Sequence, residues 1–365
     1  MTSTPTTTKL GPDQALLRDL LRRLAEAEST EAPILSAYID VRPEAHGERP
    51  AARTELTVLQ SRLEEVASSH DAHSTARESV DADRERIAGV LDGEDLRGVA
   101  GVAIFACDRI GLWESLSAHV AFDTQVSAGP TADLFQLARL LDDQVSAVVA
   151  VVDTNTCRFF VTRRGGLTER SGPDEEPDEH RRHRSGGWSQ ARYQRHIDMQ
   201  DKRFAKEAAQ ALERLITRER PAHVLLAGDE RAIVVLDAEL SAGVRPLVEH
   251  VARIEMRATA EEVREEIVPI LSALEEADGQ EAADRAIAGW SAGALGTVGI
   301  DGTAAALEAG QVDELIIDET AELDDDLRNE LIRQASLTDA SVEIVREHAA
   351  LRRHDGVAAT LRFRI

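Results

Sequence analysis

Short apolar runs alternate with amphipathic segments along the whole chain, and this alternation restricts it to layered α/β folds. Residues 34–41 (ILSAYIDV), 99–107 (VAGVAIFAC), 112–120, 146–153, 157–163, 167–170, 221–228 (PAHVLLAG), 248–254, 296–300, 312–317, 341–345 and 356–363 read as strands. Between them lie helical patterns at 14–28, 52–66, 79–91, 133–141, 190–218, 229–240, 260–277, 279–290, 302–308 and 326–335. The leucines at 16, 17, 20, 21 and 24 give the first helix an apolar stripe, and Thr259 with Glu262 opens a later one as a capping box. A chain of 365 residues exceeds one ordinary core. Turn chemistry at Ser127-Ala128-Gly129-Pro130 and a glycine at 279 divide it into three expected domains, 1–127, 128–278 and 279–365.

One segment breaks the pattern. Residues 171–185 are rich in Gly, Pro, Asp, Glu and His with no apolar period, so they read as an exposed, mobile loop. The loop runs on through Gly186-Gly187-Trp188-Ser189-Gln190 into a long helix, and the chain's basic residues gather around it: Arg181, Arg182, Arg184, Arg192, Arg195, Lys202 and Arg203. Arg192, Arg195 and Lys202 are spaced to share one helix face. The formal charge of −25 argues against a protein that coats nucleic acid over its whole surface, so any RNA contact is expected to be local. A solvated helix face and a glycine-rich hinge would produce the same residues.

Cys107 and Cys157 end apolar runs without partners at metal-ligand spacing and are expected as buried thiols. His180, His183 and His196 lack the companions a metal site needs, so no metal and no cofactor is expected. No apolar run approaches the length of a membrane span, and MTSTPTTTKL is no secretory leader; the expectation is a cytoplasmic protein without a membrane partner.

Residues 296–318, GTVGIDGTAAALEAGQVDELIID, resemble the strand, helix and Gly-x-Val-strand segment in the last domain of archaeal and eukaryotic release factors and of Pelota. Val224-Leu225-Leu226-Ala227-Gly228 resembles the strand after their catalytic-loop helix, and Gly186 to Gln190 resembles their Gly-Gly-Gln loop with Trp188 and Ser189 inserted, close to that of the Vms-type peptidyl-tRNA hydrolase. The resemblance covers residues of roughly 130 to 365. The first domain matches only through Ala37-Tyr38-Ile39-Asp40 and lacks the Asn-Ile-Lys-Ser stretch that reads stop codons. The strand and helix pattern makes the N-terminal domain a mixed α/β unit, and the resemblance implies a ribonuclease H-like middle domain with an exposed Gly-Gly loop and a Pelota-like α/β/α C-terminal sandwich.

It also implies hydrolysis of the peptidyl-tRNA ester at a ribosome or large subunit, which needs an oriented water and stabilisation of the developing oxyanion. Gln190 would orient the water, Gly186 and Gly187 would shape the loop, Ser189 would add a polar contact, and Trp188 would stack on a nucleotide. A translational GTPase partner for the third domain belongs to the same resemblance. Two other readings stay open: a ribosome-binding stress or hibernation factor without chemistry, and a metal-dependent nuclease acting on tRNA, since the middle fold is related to that of ribonuclease H.

Overall fold

The computed structural model describes residues 6–8, 14–42, 50–93, 99–142, 146–163, 166–170, 190–251 and 254–364. Their contacts divide into two compact units, residues 1–144 with 276–365 and residues 145–275.

The first unit begins with β1 (Thr6–Thr8), α1 (Gln14–Glu26), β2 (Ile34–Asp40), α2 (Pro50–Ser68) and α3 (Thr75–Gly93). β3 (Gly101–Cys107), β4 (Leu112–Ala118), β5 (Gln125–Gly129) and α4 (Phe135–Asp142) complete its N-terminal part. The strands order as β1-β4-β3-β2-β5. Alternation along β2 decides the two faces: Leu35, Ala37 and Ile39 join Leu59, Leu63 and Ile87 of α2 and α3, while Ile34 and Tyr38 join Leu17, Leu21 and Leu24 of α1. β5 pairs antiparallel with β2 over the residues read as a domain boundary. It is a half-exposed edge strand without clear alternation, so only its closing Gly129-Pro130 turn was visible.

The second unit carries β6 (Ala147–Val152), β7 (Cys157–Arg163), β8 (Gly166–Arg170), α5 (Gln190–Glu219), β9 (His223–Gly228), α6 (Glu230–Glu239) and β10 (Val248–His250). Its sheet orders as β10-β9-β6-β7-β8, with β6, β9 and β10 parallel and the β6-β7-β8 meander antiparallel. This is the expected ribonuclease H-like layout. Val148, Ala150 and Val152 face α5 and α6, whereas Ala147, Val149 and Val151 face Val263, Ile267 and Leu271.

Those last three belong to α7 (Ala260–Ser291), one continuous helix where the sequence suggested two. Gly279 does not stop it, because a single helical glycine costs only about 1 kcal/mol and Ala282, Ala283 and Ala286 pack beyond it. β11 (Gly296–Val298), α8 (Ile300–Glu308), β12 (Val312–Asp318), α9 (Asp325–Leu337), β13 (Ser341–Val345) and β14 (Val357–Leu361) return to the first unit as a sheet ordered β11-β14-β12-β13. Helix α7 covers one face and α8 and α9 the other, an α/β/α sandwich.

This sandwich shares a core with the N-terminal sheet. Leu331, Ile332 and Ala335 of α9 lie in one cluster with α1 and with Leu137, Ala138 and Leu140 of α4. Helix α4, expected to open the middle domain, is therefore part of the first unit. No described helix is long and apolar enough to cross a membrane.

Candidate RNA-facing site on the middle domain

The meander ends at Arg170 and the chain is described again at Gln190, the first residue of α5. Arg181, Arg182, Arg184, Gly186, Gly187, Trp188 and Ser189 lie outside the described residues, as do the side chains of Gln190, Arg192 and Arg195. What the fold does place is the helix itself. Its 30 residues extend about 45 Å, and Gln190 stands at its far end. The described buried side chains of α5 are Ala205, Ala208, Ala209, Leu212, Leu215 and Ile216. Fifteen positions separate Gln190 from the first of them, about 22 Å along the axis.

Helical backbone over positions 192, 195 and 202 puts all three within an arc of about 80°, and Lys206 falls inside it. Lys206 was missed as a member of this face, though its spacing of four from Lys202 was there to read. Both lysines are exposed. Arg203 pairs with Glu207 at 3.1 Å, which makes it less available to an outside phosphate.

Two carboxylates stand at the carboxyl ends of the central parallel strands, where ligands commonly meet α/β sheets. Asp153 Oδ1 accepts hydrogen bonds from the amides of Asn155 (2.8 Å) and Thr156 (2.7 Å), shaping the β6–β7 turn. Asp229 Oδ1 accepts from the amides of Arg231 and Ala232, capping α6. Between the strands, Gly228 sits at φ +115°, and a Cβ there would lie 2.1 Å from the Val152 carbonyl oxygen. Among the described residues no group of three or more His, Cys, Asp or Glu side chains is arranged to hold a metal. Cys157, beside this turn, is buried, and burial with the nearby Asp153 charge pushes its thiol far above the ordinary range.

A second polar cluster lies in the C-terminal sandwich. Asp318 Oδ1 accepts from the Thr320 amide and hydroxyl, and Oδ2 accepts from the His348 amide at 2.8 Å. Burial works against this charge, but these donors and Arg352 hold the carboxyl below its usual range. His348 Nδ1 accepts the Leu351 amide, leaving Nε2 to donate toward Asp284 at 3.3 Å. Asp318 and His348 Nδ1 thus accept from the end of β12 and the turn before β14, so the cluster is architectural.

Residues 133–271 match Bacterial archaeo-eukaryotic release factor family 10. The matched segment is release-factor-like. It includes the meander, the loop, α5 and the strand-helix pairs behind them, so the release-factor-like segment contains the whole candidate site. Solved structures similar to the chain include an archaeal translation termination factor, aRF1, at 19% identity over 97% of this chain and 99% of that one, with a TM-score of 0.29. Ribosome-bound archaeal Pelota, in a model with ABCE1, matches at 14% over 98% and 96%, with a TM-score of 0.44. S. cerevisiae Dom34, a translation termination-like factor, matches at 10% over 98% and 94%, with a TM-score of 0.43. Identities and scores this low add nothing to the family match. No curated protein matches the chain in sequence.

Proposed function

We propose that the protein acts on ribosomes or separated large subunits and hydrolyses peptidyl-tRNA through the loop that ends at Gln190. The observation that supports this is placement: within a release-factor-like segment, Gly186-Gly187-Trp188-Ser189-Gln190 joins a meander edge to the far end of a 30-residue helix. A helix of that length can carry a loop into a narrow site while its other end stays anchored in the core. The ester needs no strong base. A glutamine amide orients water and the two glycines let backbone approach the carbonyl closely. Arg192, Arg195, Lys202 and Lys206, on one helical arc, serve RNA phosphates in this reading. A translational GTPase partner for the C-terminal sandwich belongs to the same proposal.

The test is peptide release from stalled large subunits carrying labelled peptidyl-tRNA. Wild type should release peptide, and Gln190→Ala should lower the rate by about 10²-fold with subunit binding retained. Binding without release by wild type would leave the non-catalytic reading, in which Trp188 and Ser189 displace Gln190 from the reacting carbonyl. Release untouched by Gln190→Ala would move the chemistry elsewhere.

A further inference from the structure

Strand β13 is the outer strand of the C-terminal sheet and is bonded to β12 on one side only. An open edge of this kind leaves backbone amides without partners unless another element covers it. Helix α4 covers part of it. Its last residue, Asp142, accepts the Ile344 amide at 2.8 Å through Oδ2. Asp142 also shares a side-chain hydrogen bond with the carboxyl group of Glu343, the residue before Ile344. An ionised carboxylate can only accept, so two carboxyl groups are joined by a hydrogen bond only while one of them carries a proton. That proton belongs to the pair rather than to either residue.

The surroundings favour keeping it. Half-buried Glu343 faces α7, where a Cβ on buried Gly279 would come within 2.7 Å of Oε1, so the carboxyl tip rests against helical backbone instead of water. Glu314 of β12 and Asp278 of α7 add negative charge around it, and Asp313 stands beside Glu314. Arg285 of α7 opposes them, but it is divided between Glu314 and Glu281, at 3.6 Å from each. Arg139, one turn before Asp142 on α4, is engaged with Glu319 and Asp123. Burial first, then the Glu314 charge, pushes the Glu343 carboxyl above its ordinary range, against the Asp142 hydrogen bond and Arg285.

We propose that Asp142 and Glu343 form a proton-operated clasp that seals the edge of β13 with the end of α4. The shared proton closes the clasp. Its loss sets two carboxylates against each other, so they part and the Ile344 amide loses its cover. In the open form both groups titrate in the ordinary range, near 3.9 and 4.3. The closed pair holds its proton more tightly, so closure is fully favoured below that range and is lost as pH rises through the raised value of the pair. One proton shifts the closing equilibrium by up to about tenfold per pH unit across that window. The inference needs no part of the Gln190 chemistry.

Hydrogen exchange of the full chain, followed by mass spectrometry from about pH 4 to pH 8 and expressed as protection factors, tests the clasp. Peptides covering α4 and β13 should lose protection as pH rises, more steeply than peptides covering β3, which serve as the reference within the same unit. Glu343→Gln and Asp142→Asn each replace the shared proton with permanent amide hydrogens. Both variants should lose the excess slope, and near pH 8 both should protect β13 several-fold better than wild type does. Excess slope that survives in either variant overturns the proposal. So does wild-type protection of β13 and β3 that falls in parallel.

Discussion

Asp83 of α3 is almost wholly buried, and its carboxylate accepts the Asp108 amide at 3.0 Å. Burial dominates the supporting hydrogen bonds and pushes its pKa up to about 6. The unfolded chain titrates near 3.9, so between about pH 4 and pH 6 the native state keeps a proton that the unfolded state has lost. Over that window this residue's contribution to stability falls as pH rises, by about 3 kcal/mol, and it is level on either side. Asp83→Asn should remove that slope. Denaturant melts of both proteins from pH 3.5 to 8 would check it, the variant gaining relative to wild type as pH rises; parallel curves would contradict the assignment. The thiols make a simpler case. Cys107 and Cys157 are both buried, so a thiol reagent should modify the native chain only as fast as it opens, and both sites at once in denaturant.

At the scale of elements, glycines with the same lack of side chain serve different ends. Gly228 closes β9 against β6 with positive φ and no space for a Cβ beside Val152 backbone. Gly228→Ala should therefore cost about 3 kcal/mol or more in thermal or denaturant unfolding. Gly279 lies inside α7, and a Cβ there would crowd the carboxylate tip of Glu343 at 2.7 Å and make ordinary contact with Val345 at 3.5 Å. That tip can swing aside, and alanine favours the helix, so Gly279→Ala should stay within about 1 kcal/mol of wild type. The pair explains a misreading of the sequence. A glycine marks a place where the chain needs room or freedom, but the sequence does not say whether that need belongs to a strand crossing, a turn or nothing essential.

At the scale of the molecule, the N-terminal sheet and the C-terminal sandwich form one unit through their common core. Polar bonds register the two. Asn329 Oδ1 accepts the Leu134 amide and its Nδ2 donates to the Ala132 carbonyl, both at 2.8 Å. Asp142 Oδ2 accepts the Ile344 amide at 2.8 Å, and Arg139 reaches Glu319 at 2.8 Å. Removing Asn329 orphans two backbone groups, so Asn329→Ala should cost about 2–4 kcal/mol. Native-state hydrogen exchange should show that loss equally in the amides of β3 and of β12. A loss confined to β12 would mean that the two sheets open independently.

The apolar alternation by itself determined most of the secondary structure, the strand meander of the middle segment and the C-terminal sandwich, because burying one face of each element leaves few arrangements for the chain. It also located the loop and the basic helix, since a segment with no period cannot join a core and helical spacing alone aligns Arg192, Arg195 and Lys202. Edge strands β1 and β5 stayed hidden, because pairing along one side selects weakly for residue type. Only the tertiary structure decided that residues 1–144 and 276–365 share a core, that α7 runs unbroken, and that Phe204 and Arg231, 27 positions apart, line one cavity. Such facts depend on contacts between residues far apart in the chain, and no local period carries them.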